Sequence, residues 1–85
     1  MGTSMETLWK KPVQIALEGP GKFTTVSSAT EASWVLIEDW PLEDGVALDK
    51  ALLICAAVAT GKKTAEDARR AFIFAAAEAG LQVRE

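Results

Sequence analysis

The 85-residue chain has no histidine. The commonest general base and the commonest metal ligand are therefore both missing. Its single cysteine, Cys55, cannot close a disulfide within the chain, which suits a reducing compartment. The uninterrupted apolar run Ala51 to Ala59 is nine residues long, whereas a bilayer-spanning helix needs about 20, so no membrane span is expected. No basic–apolar–small signal opens the chain, and the cytoplasm is the expected location. Glu6 stands where a myristoylation pattern beginning at Gly2 requires Ser or Thr. Met5 offers an alternative start, which would leave residues 1–4 as a lead. The net charge of −3 supplies no general attraction for nucleic acid or anionic lipid. There is no internal repeat, no low-complexity segment and no motif that calls for a cofactor.

Apolar residues are plentiful, at 49% of the chain. A domain of this length buries roughly 60–65% of its unfolded surface, so the interior is too small to hide such a surplus comfortably. Small domains often meet that surplus by pairing, and a homodimer is expected. The stretch Leu48 to Gly61 organises the rest. Leu48, Ala51, Leu52, Cys55, Val58 and Ala59 recur at helical spacing, and Leu53, Ile54, Ala56 and Ala57 fill the other faces. The expectation is a helix that is enclosed nearly all round, by the chain or by a second copy.

Residues 1–8 are small and polar and read as a flexible lead, with the domain over 9–85. Trp9 is the first large apolar residue. Val13, Ile15 and Leu17 alternate with Gln14, Ala16 and Glu18, the period of a half-buried strand. Gly19-Pro20-Gly21 reads as a hairpin loop, and the β-branched run Lys22 to Ser27 as the returning strand. Ser28 and Glu31 have the spacing of a capping box, with the carboxylate expected to return to the Ser28 amide. A first helix then runs to about Trp40, where Pro41 halts it. The second helix ends at Gly61. Thr64 and Asp67 open a third, which runs to about Ala79 and is capped by Gly80. Glu66 and Arg70 are spaced to pair on it. Leu81 to Arg84 alternates again, leaving a short third strand open. The fold expected is α+β, an N-terminal β-hairpin with this possible C-terminal strand packed against three helices. Alanine-rich faces on the second and third helices place Ala57 and Ala76 at the expected dimer contact.

Several spaced residues carry a resemblance. They include Trp9 with Pro12-Val13, Trp40-Pro41, Gly45, Cys55, Gly61, then Glu66-x-Ala68-Arg69-x-Ala71-Phe72 and Glu78-Ala79-Gly80. Over residues 9–83 the chain resembles the small bacterial family known as domain of unknown function 982. The resemblance implies one α+β domain of bacterial origin. It carries no activity and no catalytic residue to any position here.

Candidate sites are few. Cys55 lies mid-helix between Ile54 and Ala56 with no cation beside it in sequence, so its packing role outweighs a nucleophilic one. Trp34 and Trp40 are about 600° apart around their helix and thus on different faces. Trp34 is left toward an edge, as an interface anchor or as one wall of a ligand pocket. Two functional classes follow: a non-enzymatic homodimeric binding or regulatory module, or a small-molecule binder or modest enzyme. The second would use a pocket walled by Trp9, Trp34 or Trp40 with Glu or Asp nearby. Glu38, Asp39, Glu43 and Asp44 cluster around a turn but lack the spacing of a calcium loop, and no metal is expected. Lys62, Lys63, Arg69 and Arg70 form the main basic concentration. A helix beginning at Ala65 would lead with Glu66 and Asp67 where phosphates would be met, which weighs against nucleic acid.

Overall fold

Residues 8–19 and 21–85 are described by the computed structural model of the chain. Apart from Leu8, the expected lead lies outside them, as does Pro20 of the hairpin loop. Val13 and Ile15 are fully buried with Gln14 half-buried between them, and this alternation forms β1 (Val13–Ile15). The strand stops before Leu17 because the chain bends there, toward Gly19 (φ 119°) and Gly21 (φ 84°). Left-handed φ values of this kind favour glycine. β2 (Thr24–Val26) returns antiparallel, with Val13 opposite Val26 and Ile15 opposite Thr24.

Ser28 caps α1 (Ala29–Glu38) by accepting from the Glu31 N–H at 3.2 Å. The return bond differs from expectation. The Glu31 carboxylate accepts from the Ser27 N–H at 2.7 Å, one residue earlier than a standard box. The helix also ends two residues early, at Glu38, with the Asp39 N–H closing back on Val35 O. Trp40, held before Pro41, is already outside it.

α2 (Val46–Ala59) ends in paired bonds, Lys62 N–H to Ala57 O and Gly61 N–H to Val58 O. Gly61 sits at φ 81°, and the arrangement is a Schellman turn. α3 (Ala65–Glu78) repeats it through Gly80 and Leu81, and Leu81 packs on the core. Its start is a complete reciprocal box between Thr64 and Asp67. The Thr64 N–H, and then its hydroxyl, hold the Asp67 carboxyl below its ordinary value. Glu66 meets Arg70 at 3.5 Å, as its spacing predicts.

The C-terminal residues do join the sheet. β3 (Val83–Arg84) pairs antiparallel with the other side of β1, giving the order β2-β1-β3. The α+β arrangement with an N-terminal hairpin is therefore as expected, and the sheet has three strands.

The centre of the fold is α3, not α2. α3 touches β1 and β3, α2 packs most extensively on α3, and α1 packs on α2. Six residues of α3 are buried, among them Ala68, Phe72, Ala75 and Ala76. α2 buries only Leu48, Ala51 and Cys55 and leaves Leu53 72% exposed, with Ala56 and Ala59 also exposed. The expectation of a helix enclosed all round does not hold within one chain. α2 packs chiefly on α3 and α1 and keeps an apolar strip open. Ala76 is fully buried against the chain's own core, so it is unavailable for a dimer contact.

Candidate functional site

The three tryptophans separate. Trp9 is 5% exposed and Trp40 half-buried, and both pack on Phe72, with ring centroids 5.8 and 5.6 Å away. Phe72 is thus clasped between two indoles, the heart of the core. Tilted aromatic pairs at this range are favourable beyond their buried area. Neither indole N–H finds an acceptor among the described residues. Trp9 and Trp40 are core elements here, and they do not form a pocket with Trp34.

Cys55 is 4% exposed, and burial pushes its thiol up to about 11. The reactive species is the thiolate, which is scarce at neutral pH under these conditions.

Trp34 is 65% exposed. It lies in a cleft of about 430 Å³ between α1 and β2, with Thr25 and Val26 on one side and Val35, Glu38 and Asp39 on the other. Glu31 also borders the cleft, its carboxylate engaged at Ser27. Three carboxylates and no cation line it. No group of three or more metal-ligating side chains in binding geometry occurs among the described residues.

A second, more apolar groove runs between α2 and α3. It measures about 610 Å³ and is bordered by Val46, Lys50, Ala71, Phe74 and Ala77. Val46 is 82% exposed and Phe74 69%. Val46, Lys50, Leu53 and Ala57 fall within about 60° of each other on α2, so the exposed Leu53 extends the same strip. Ala57 was expected at an interface from the sequence, whereas Val46 and Phe74 were not, although one signal for Phe74 was present. Phe74 lies two positions from Phe72, about 200° around the helix and therefore opposite the core face.

Glu78, at the end of α3, borders this groove and closes the start of α2. Its two carboxylate oxygens accept from the Ala47 N–H at 3.0 Å and the Leu48 N–H at 3.1 Å. Gly45, the N-cap residue, has no side chain to do this. A Cβ at Gly45 would lie 2.7 Å from Glu78 Cδ, so the carboxylate occupies the space a larger residue would need. An acid placed at a helix start satisfies otherwise unpaired N–H groups and the helix dipole together. Nothing in the local sequence around Gly45 signals this partner 33 positions downstream.

The basic concentration is also divided. Arg69 is buried: its Nε donates to Lys11 O at 2.8 Å and its Nη2 to Glu85 at 3.0 Å. Lys62, Lys63 and Arg70 remain on the surface.

The molecule is thus a small α+β domain, a three-stranded antiparallel sheet backed by helices, with no helix among the described residues long and apolar enough to cross a membrane. The chain belongs to the family described as Protein of unknown function (DUF982), whose model matches residues 11–83. No curated protein and no solved structure compared with it gives a match.

Proposed function

We propose that the protein is a non-enzymatic interaction module that works in the cytoplasm as a homodimer, joined through the outer face of α2 and α3. The observation that carries this is Phe74. A large aromatic side chain 69% exposed beside a groove bordered by Val46, Ala71 and Ala77 is the pattern of an interface anchor. The face suits a two-fold contact, in which the same patch meets itself. Phe74 of each copy would enter the groove of the other, and Leu53 would extend the contact along α2.

The magnitudes are adequate. A specific interface covers at least about 500–600 Å² per copy, about a tenth of the 5386 Å² surface of the chain. Burying Val46, Leu53 and Phe74 on both copies contributes about 1–2 kcal/mol per side chain, comparable to the cost of association. The expected dimer is therefore a weak one that forms only at high protein concentration. The non-enzymatic reading is supported by the inert Cys55 and by the absence of histidine. A single cysteine without a disulfide partner in the chain fits the cytoplasm.

The test is the mass in solution, by light scattering or native mass spectrometry at high micromolar concentration. The expected result is twice the 9.1 kDa chain mass for the wild type and the single-chain mass for Phe74→Glu, with an unchanged circular dichroism spectrum. A monomeric wild type, or a Phe74→Glu variant that still pairs, refutes the proposal.

A further inference from the structure

The sheet has an outer edge that no described strand pairs with, and the Trp34 cleft lies along it. β2 is the outer strand of the order β2-β1-β3. The Ala16 N–H donates to Gln82 O on the β3 side of β1. Backbone groups alternate sides along a strand, so Gln14 also faces β3, while Val13 and Ile15 face β2. Their partners Val26 and Thr24 thus direct their backbone groups inward. The Thr25 N–H and C=O point to the outer edge, where no described residue pairs with them. At Ser27 the chain has used its own outer groups, one on the Glu31 carboxylate and one on the Trp9 N–H. Thr25 therefore keeps a donor and an acceptor that no described residue uses, at the mouth of a cleft whose far wall is α1.

That wall has a definite chemistry. Trp34 presents a largely exposed indole, and Glu38 and Asp39 stand exposed beside it. Neither carboxylate forms an ion pair or a hydrogen bond with a described side chain. No lysine or arginine borders the cleft. An indole face attracts a cation, and Arg in particular stacks on it while its guanidinium bonds a carboxylate.

We propose that this cleft receives an extended, basic segment of a partner protein, added as a fourth strand on the outer edge of β2, with an Arg or Lys side chain held between Trp34 and the carboxylates of Glu38 and Asp39. Main-chain pairing at Thr25 supplies the extended geometry, and the cleft supplies the side-chain preference, as in other complexes formed by strand addition. The site shares no lining residue with the groove assigned to the dimer and does not depend on that assignment. A neutral or acidic strand gains nothing from the acidic wall, so the preference separates this site from a merely sticky edge.

The experiment is selection from a library of random heptapeptides displayed on phage, with the intact chain as bait. The expected peptides carry Arg or Lys at one recurring position flanked by β-branched residues. Synthetic copies should bind at least about tenfold more weakly to Trp34→Ala, an effect typical of an interface tryptophan. Trp34 is exposed, so that variant is expected to retain the wild-type circular dichroism and thermal midpoint. The double variant Glu38→Lys/Asp39→Lys should turn the selection toward acidic peptides. Thr25→Pro, which removes the edge N–H where proline is tolerated, should abolish binding of the basic peptide while leaving the acidic wall intact. The proposal is overturned if no basic peptides are enriched. It is equally overturned if the enriched peptides bind Trp34→Ala as well as wild type, or if free arginine binds as tightly as the peptide and Thr25→Pro has no effect.

Discussion

Replacing Gly45 by alanine should destabilise the wild type and stabilise a chain that lacks the Glu78 carboxylate. Glu78 makes two charge-assisted bonds to the start of α2, at 3.0 and 3.1 Å. One lies at the exposed surface and the other is partly buried, so the low end of the usual range applies. Loss of the cap in Glu78→Ala should cost about 1–2 kcal/mol. In a domain of this size that lowers the thermal midpoint by roughly 5–15 °C. Gly45→Ala reaches the same outcome by another route. Its Cβ would crowd the carboxylate, which must swing away and give up both bonds. Gly45 itself is at φ 161°, extended backbone that alanine adopts freely. Once Glu78 has been truncated, only the unfolded-chain effect of Gly→Ala remains, a gain of about 0.4–1 kcal/mol. The double-mutant cycle should therefore show a coupling of about 1–2 kcal/mol and a change of sign for one substitution. Urea unfolding followed by circular dichroism and tryptophan emission measures all four corners. Additive effects, or a Gly45→Ala change of the same sign in both backgrounds, would show that the carboxylate is not the cap.

Arg69→Met keeps the buried stem but leaves Lys11 O without its donor. It should cost about 2–3 kcal/mol, whereas Glu85→Gln, at the half-exposed end of the same contact, should cost under about 1. Equal costs by urea titration would refute this assignment. Cys55 has its pKa raised from 9.0 to about 11, so the folded state binds a proton that the unfolded state releases between those values. The stability this contributes is complete below pH 9 and is lost as pH rises through about 11. Between pH 8 and pH 11 the wild type should therefore lose more stability than Cys55→Ala, and in the native chain a thiol reagent should label Cys55 only as fast as the chain opens. Phe72→Ala removes the ring that both Trp9 and Trp40 touch and should cost about 3–5 kcal/mol, enough to leave much of the chain unfolded. A native-like thermal midpoint in that variant would remove Phe72 from the centre of the core.

Local chemistry was legible in the sequence because its causes are local. The alternation of Val13 and Ile15, the caps at Ser28 and Thr64, and the left-handed glycines at 61 and 80 each act within a few residues. Strand β3 was legible only as an alternation, since its partner lies near the other end of the chain. What could not be read was settled by long-range packing. Glu78 looks like an ordinary helix-end acid until α2 is placed against it. Arg69 looks like part of a basic patch until Lys11 and Glu85 surround it. The exposed strip of α2 was hidden by composition, because a helix apolar on every side gives no clue about which side is left open. Of the candidate site residues, Trp34 is exposed as its expected edge position implied, although Trp40, against which its angle was taken, lies beyond the end of α1. The cleft beside Trp34 required β2 to be an outer strand, which no periodicity reveals.

Arg69 has a mechanical consequence. A single guanidinium holds the backbone before β1 and the side chain of Glu85 after β3, so these two points of the chain are pinned side by side. The same clasp would carry load, since a force drawing Lys11 away from Glu85 would pull directly on Arg69 and on the β1–β3 pairing.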